Sequence, residues 1–233
     1  KRGDKTLSVQ NGPRLVNGKG NLKNIRAYTE KNEAVVVADY EGELRNIEWR
    51  LKTNGWLKLS YAYQLKGGSK ADYIGVTFDY PEAQVKSMRW LGKGPYRVWK
   101  NRTKGVEYGV WQKDYNDTVT GLSWNYPEFK GFHDHVYWAE INTGELPLTV
   151  LINEPNITLR MLTPKQASGD LENPMTTKVE FPAGDISFLH GFTPIGTKFD
   201  PATSHGPEGE PNSVPRLGQW YQTEVYFYVG DSQ

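Results

Sequence analysis

The chain has 233 residues, with 28 Lys and Arg against 27 Asp and Glu, no Cys, and an aromatic complement of 8 Trp, 14 Tyr and 8 Phe. This near-neutral balance excludes the basic footprint of a nucleic-acid or anionic-membrane binder. The missing Cys excludes disulfides, thiolate nucleophiles and Cys-based zinc sites, and no apolar run of about 18 residues is present to cross a bilayer as a helix.

The length suits one large β domain with a core big enough to need no covalent staples. The opening, Lys1-Arg2-Gly3-Asp4-Lys5, has neither an apolar signal core nor an initiating Met. It reads as a piece of a longer chain, with any signal peptide absent or removed. Aromatic enrichment without long amphipathic windows predicts sheets and very little helix. Val35–Tyr40 is the first expected strand. Ile47, Trp49 and Leu51 then alternate up to Thr53-Asn54-Gly55, beyond which Leu57, Leu59, Tyr61, Tyr63 and Leu65 share one face. Asn-Gly between two alternating runs predicts a hairpin, because both residues tolerate positive φ. Ile74, Val76 and Phe78 alternate next, followed by expected strands at 85–90, 106–112, 136–141, 148–153, 157–163, 185–189 and 221–229. Asp200–Gly218, rich in Pro, Gly, Ser and Glu, reads as a long surface loop. With no repeat and no composition break, residues 1–233 are expected to form a single antiparallel β-sandwich.

One segment carries a family signature. Met88-Arg89-Trp90-Leu91-Gly92-Lys93-Gly94-Pro95-Tyr96 runs on through Arg102 to Gly109-Val110-Trp111. It resembles the C-terminal "small chain" domain of family 2 glycoside hydrolases, the β-galactosidase group. There an aromatic-Leu/Phe-Gly-x-Gly-Pro strand end precedes a basic stretch and a Gly-x-Trp/Tyr strand. Asn11-Gly12-Pro13-Arg14 and Tyr126-Pro127-Glu128-Phe129-Lys130-Gly131-Phe132 are consistent with it. The resemblance implies a galactose-mutarotase-like supersandwich, a catalytic TIM-barrel partner elsewhere in the parent chain, and a periplasmic or secreted setting. It departs from the family after Gly-Pro-Arg, where Leu15-Val16-Asn17-Gly18 replaces the usual aromatic, Arg-Ala-Pro and Asp-Asn-Asp run. The family's late aromatic, delivered to the sugar site by a loop, has Phe199 as its nearest equivalent.

Sugars offer flat C–H faces that stack on aromatic rings, each contact contributing about 0.5–1.5 kcal/mol beyond area burial. Trp99 and Trp124, set in polar, turn-rich surroundings, are the expected platforms; Tyr126 and Tyr96 adjoin them, and Arg97, Arg102, His133 and His135 supply polar contacts. Trp49 and Trp90, inside strand patterns, are read as core. His133 and His135 at i and i+2 of a strand would lie side by side. A metal would need further ligands, for which His190 and His205 are the available donors, and no metal or cofactor is assigned. Glu107, Asp114, Asp117, Glu128 and Glu140 read as solvated strand and turn residues, and so do most of Arg97, Lys100, Arg102 and Lys104. No phosphate loop or nucleophile elbow is present. The reading is a non-catalytic, carbohydrate-binding accessory domain. The alternatives are a self-sufficient mutarotase-like epimerase, using His133, His135 or His190 with Glu140, a polysaccharide lyase on the same fold, and a purely structural packing domain.

Overall fold

The computed structural model describes residues 12–16, 18–115, 129–164, 179–197 and 199–230. Its first strands are β1 (Arg14–Val16), β2 (Gly20–Glu30), β3 (Glu33–Gly42), β4 (Leu44–Leu51), β5 (Leu57–Leu65), β6 (Lys70–Ala71) and β7 (Ile74–Phe78). Then come β8 (Val85–Gly94), β9 (Glu107–Asp114), β10 (Gly131–His133), β11 (Trp138–Thr143) and β12 (Leu148–Ile152). The series closes with β13 (Thr158–Met161), β14 (Ile186–Gly191), β15 (Asn212–Ser213) and β16 (Gln219–Val229). Among the described residues helix is confined to short 3-10 turns, two of which, Ala202–His205 and Pro207–Gly209, structure the expected loop before β16. No helix there is long and apolar enough to cross a membrane.

The strands form a nine-stranded sheet, β2-β3-β4-β5-β16-β12-β11-β8-β9, and a five-stranded sheet, β1-β7-β14-β13-β10, with β15 and β6 as a small two-stranded clip. Every pairing is antiparallel, as the hairpin-rich sequence requires. The β4–β5 turn falls where Asn-Gly stands: Gly55 takes φ 85° and donates its N–H to Lys52 O at 3.0 Å. Inward-facing residues of both sheets meet in one core, where Trp90, Tyr61, Tyr63, Phe188, Leu59, Met88 and Ile141 are almost wholly enclosed. Full burial of such a side chain contributes about 1.5–3 kcal/mol relative to exposure.

The glycines of the 92–94 motif are explained by contact. A Cβ at Gly94 would sit 2.4 Å from the Trp111 ring, and one at Gly92 would sit 2.9 Å from His135 O. Trp111 lies across this strand end and donates Nε1–H to Gly92 O at 3.2 Å. Thus Gly-x-Gly and the later Gly-x-Trp form one contact, in which bare backbone on β8 receives the indole of β9.

The sheets are unequal. Every residue of β2 is exposed, including Leu22, Ile25 and Tyr28, so this margin of the larger sheet projects beyond its cover. Alternation did not reveal β2, because it has no buried face to imprint a period. Arg26–Asp39 at 2.6 Å and a register shift between Leu22 and Asn24 mark its pairing with β3.

Candidate functional site

The segment around Trp99 is a buttress. Trp99 is half-buried, with its ring 5.4 Å from Phe132 and 5.9 Å from Phe181, in a small aromatic cluster that also holds Tyr73, Leu189 and Phe192. The neighbouring cations are not the solvated turn expected of them. Arg97 donates to Lys130 O at 2.9 Å, Lys100 to Glu210 O at 2.8 Å and Arg102 to Gly196 O at 2.7 Å. Asn101 clamps Ile195 in both directions, each bond 2.9 Å. The run therefore ties the loop after β8 to the chain after β14.

The two histidines do not lie side by side. β10 ends at His133, and His135 adopts φ 52°, which turns it off the strand. His133 is fully buried against Trp90 (ring centroids 4.6 Å apart), and its Nε2–H donates to Phe129 O at 2.5 Å. Burial lowers its pKa to about 4, so it is neutral at pH 7. His135 is half-exposed, and Asp134 between them is held by Lys93 at 2.9 Å and Thr158 at 3.1 Å. Tyr96 (56% exposed) and Phe199 (70% exposed) are open to solvent on separate loops. Trp124 and Tyr126 lie outside the described residues. Among the described residues no three or more His, Asp and Glu are grouped to hold a metal ion.

A different constellation comes together where β12 leaves the nine-stranded sheet. β12 pairs with Val225–Val229 of β16, and then the chain turns through Asn153-Glu154-Pro155-Asn156; Pro155 has no N–H to continue a ladder. Asn153 N–H still reaches Glu224 O at 3.1 Å. Beyond that bond Gln219–Gln222 has no strand neighbour on this side among the described residues. The gap opens a cleft of about 620 Å³, lined by Lys100, Glu154, Asn156, Asn212, Gln219, Gln222 and the ring-bearing His190, Trp220 and Tyr221. That size lies within the range of small-molecule sites.

The cleft floor is a closed hydrogen-bond chain. The Tyr63 hydroxyl is 2.7 Å from His190 Nδ1, His190 Nε2 is 3.3 Å from Glu154 Oε2, and the Thr223 hydroxyl donates to the same Glu154 oxygen at 2.7 Å. Burial holds Tyr63 well above the ordinary tyrosine pKa, so its O–H is retained, and burial lowers the pKa of His190, keeping it neutral. Because Glu154 only accepts and Thr223 already donates to it, Nε2 carries the imidazole proton and Nδ1 accepts from Tyr63. Tyr221 stacks on Tyr63 at 4.9 Å and lies 4.7 Å from His190. At the rim Trp220 is 57% exposed, with the Arg45 guanidinium 5.7 Å from its ring centroid.

Of this cleft, sequence reasoning had named His190, as an available donor, and Lys100, as part of a solvated basic run. Glu154 and Tyr63 lie 36 and 127 residues from His190 in the chain, and Trp220 fell between the expected loop at 200–218 and the expected strand at 221–229. The usable signal was Asn-Glu-Pro-Asn ending a strand, a ladder stopped by proline with a carboxylate beside it.

Residues 8–183 match the family described as beta galactosidase small chain. No curated protein matches the chain. Among solved structures, the chain is similar to a putative aldose 1-epimerase from Escherichia coli K12, at 12% identity and a TM-score of 0.34, over 89% of this chain and 68% of that one.

Proposed function

The chain belongs to the β-galactosidase small-chain family, and from that premise we propose that it is a non-catalytic, carbohydrate-binding accessory part of a larger glycoside hydrolase of the family 2 type. Its hydrolytic carboxylates would reside on a TIM-barrel partner, and it would work on polysaccharide in a periplasmic or secreted setting. The observation that carries the reading is the cleft beside β16, which pairs an exposed ring, Trp220, with amide, carboxylate and imidazole groups drawn from both sheets. Polar sugars need many hydrogen bonds and one or two stacked rings in a partly dry site, and this lining supplies both. The site differs from the shelf expected at Trp99, whose ring is committed to Phe132 and Phe181.

Calorimetry of the chain with β-1,4-galactobiose tests it. Binding is expected, with a loss of about three- to tenfold on Trp220→Ala, the equivalent of one stacking contact. Unchanged affinity in that variant would remove the cleft from consideration.

A mutarotase-like reading draws on the same geometry, a His and a carboxylate 3.3 Å apart at the cleft floor. Both imidazole nitrogens already have partners inside the protein, which favours a positioning role for His190 over proton transfer. Polarimetry of fresh α-galactose with the chain and its His190→Asn variant separates the two readings.

A further inference from the structure

We infer that the sugar cleft continues over the open edge of β16 into a second polar subsite on the outer face of the nine-stranded sheet, so that the ligand is a disaccharide or longer chain; the inference rests on the carbohydrate-binding reading above. A second depression, of about 350 Å³, lies there, and Gln222 and Glu154 line both it and the first. Its floor follows from the strand register. Asn46 on β4, Ala62 on β5 and Gln222 on β16 are directly paired in one row, and Ser60 pairs with Glu224 in the next. Side chains alternate across a strand, so these residues share the face opposite Tyr61, Tyr63 and Thr223. Ala62 and Ser60 are the small members of their rows and leave the hollow, while Asn46, Gln222 and Asn153 surround it with amides.

The two hollows are joined because β12 has already left. A strand continuing beside Gln222 would wall one from the other, but the chain turns away at Asn153, and Glu154 stands at the gap and borders both hollows. One Glu154 oxygen takes the Thr223 hydroxyl. Glu224 on the outer side is ion-paired with Lys58 and hydrogen-bonded to the Asn153 side chain, which leaves the amides of Asn46 and Gln222, the Ser60 hydroxyl and Glu154 as the principal hydrogen-bonding groups of the second hollow. Amides that both donate and accept, beside a carboxylate that accepts, match the vicinal hydroxyls of a neutral sugar. Trp220 stands at the mouth of the first hollow, two residues from Gln222, where a glycosidic link would pass between the subsites.

The test compares D-galactose with β-1,4-galactobiose by calorimetry on the intact chain, its Ala62→Leu variant, which fills the outer hollow, and its Asn46→Ala variant, which removes one amide. The expected result is at least tenfold tighter binding of the disaccharide. Ala62→Leu should reduce that binding to the galactose level, Asn46→Ala should lower it several-fold, and both should leave galactose binding unchanged. Galactose and galactobiose binding equally would overturn the second subsite while leaving the cleft reading intact, and so would variants that weaken both sugars alike. Binding of neither sugar would overturn the cleft reading and this inference with it. Should Ala62→Leu fail to fold, Asn46→Ala reads the same difference alone.

Discussion

Acid should destabilise this protein well above the pH at which its carboxylates protonate, because of His133. The imidazole is fully buried against Trp90 with one nitrogen bonded to Phe129 O, and burial depresses its pKa from 6.5 to about 4. In the unfolded chain it takes up a proton below about pH 6.5, whereas in the folded chain it stays neutral until about pH 4. The unfolded state therefore binds more protons throughout that window, and stability falls as pH falls through it. The contribution is fully present above the unfolded pKa. Linkage between the two values gives a loss of about 2 kcal/mol on going from pH 7 to pH 5, approaching about 3 kcal/mol near pH 4. His190, also buried neutral, acts in the same direction. Denaturant unfolding at pH 7, 6 and 5 measures the slope, with His133→Gln as the control, since Gln keeps an amide donor for Phe129 O without titrating. The variant should be less stable at pH 7 and lose about 2 kcal/mol less between pH 7 and 5. Parallel slopes for the two proteins would refute the argument that burial holds His133 neutral.

Three further outcomes follow from individual contacts. Trp99→Ala should lower stability by about 2–4 kcal/mol in thermal unfolding, through loss of its contacts with Phe132 and Phe181, yet leave galactobiose affinity within twofold. Glu154→Gln should keep the fold by circular dichroism and weaken galactobiose binding at least tenfold in calorimetry, because it exchanges the acceptor shared by His190 and Thr223 for an amide. Gly75→Ala should destabilise by at least about 1–3 kcal/mol in denaturant titration, since the added methyl would come within 2.2 Å of Phe188 O in the paired strand β14.

Alternation located strands with buried faces such as Leu57–Leu65 and Ile74–Phe78, and Asn54-Gly55 marked the β4–β5 hairpin correctly. It failed at β2, which has no buried face, and at β10, three residues long, where His133 and His135 were assumed to continue one strand. The aromatics show the limit of local context. Polar neighbours made Trp99 look like a solvent-facing platform, but those neighbours spend their hydrogen bonds on the carbonyls of Lys130, Gly196 and Glu210, far away in sequence. The cleft was illegible for the same reason. Glu154, His190, Tyr63 and Trp220 come from separate strands and a turn, and only the crossing of two sheets brings them together. The signature at Gly92 and Gly94 was readable because its partner, Trp111, lies on the adjacent strand.

The overhanging margin formed by β2 has a consequence for how the molecule yields. A ribbon eleven residues long, paired among the described residues with β3 and exposed throughout, gains little from the shared interior, so it should peel away while the remainder stays intact. Its amides would surrender deuterium protection first. Arg26, Lys23 and Glu30 along that fringe, together with the irregularity after Leu22, discourage a stray strand from zipping onto it. The protein thus carries a weak seam on the flank opposite β9, four strands removed from the β16 edge where the sugar is proposed to lie.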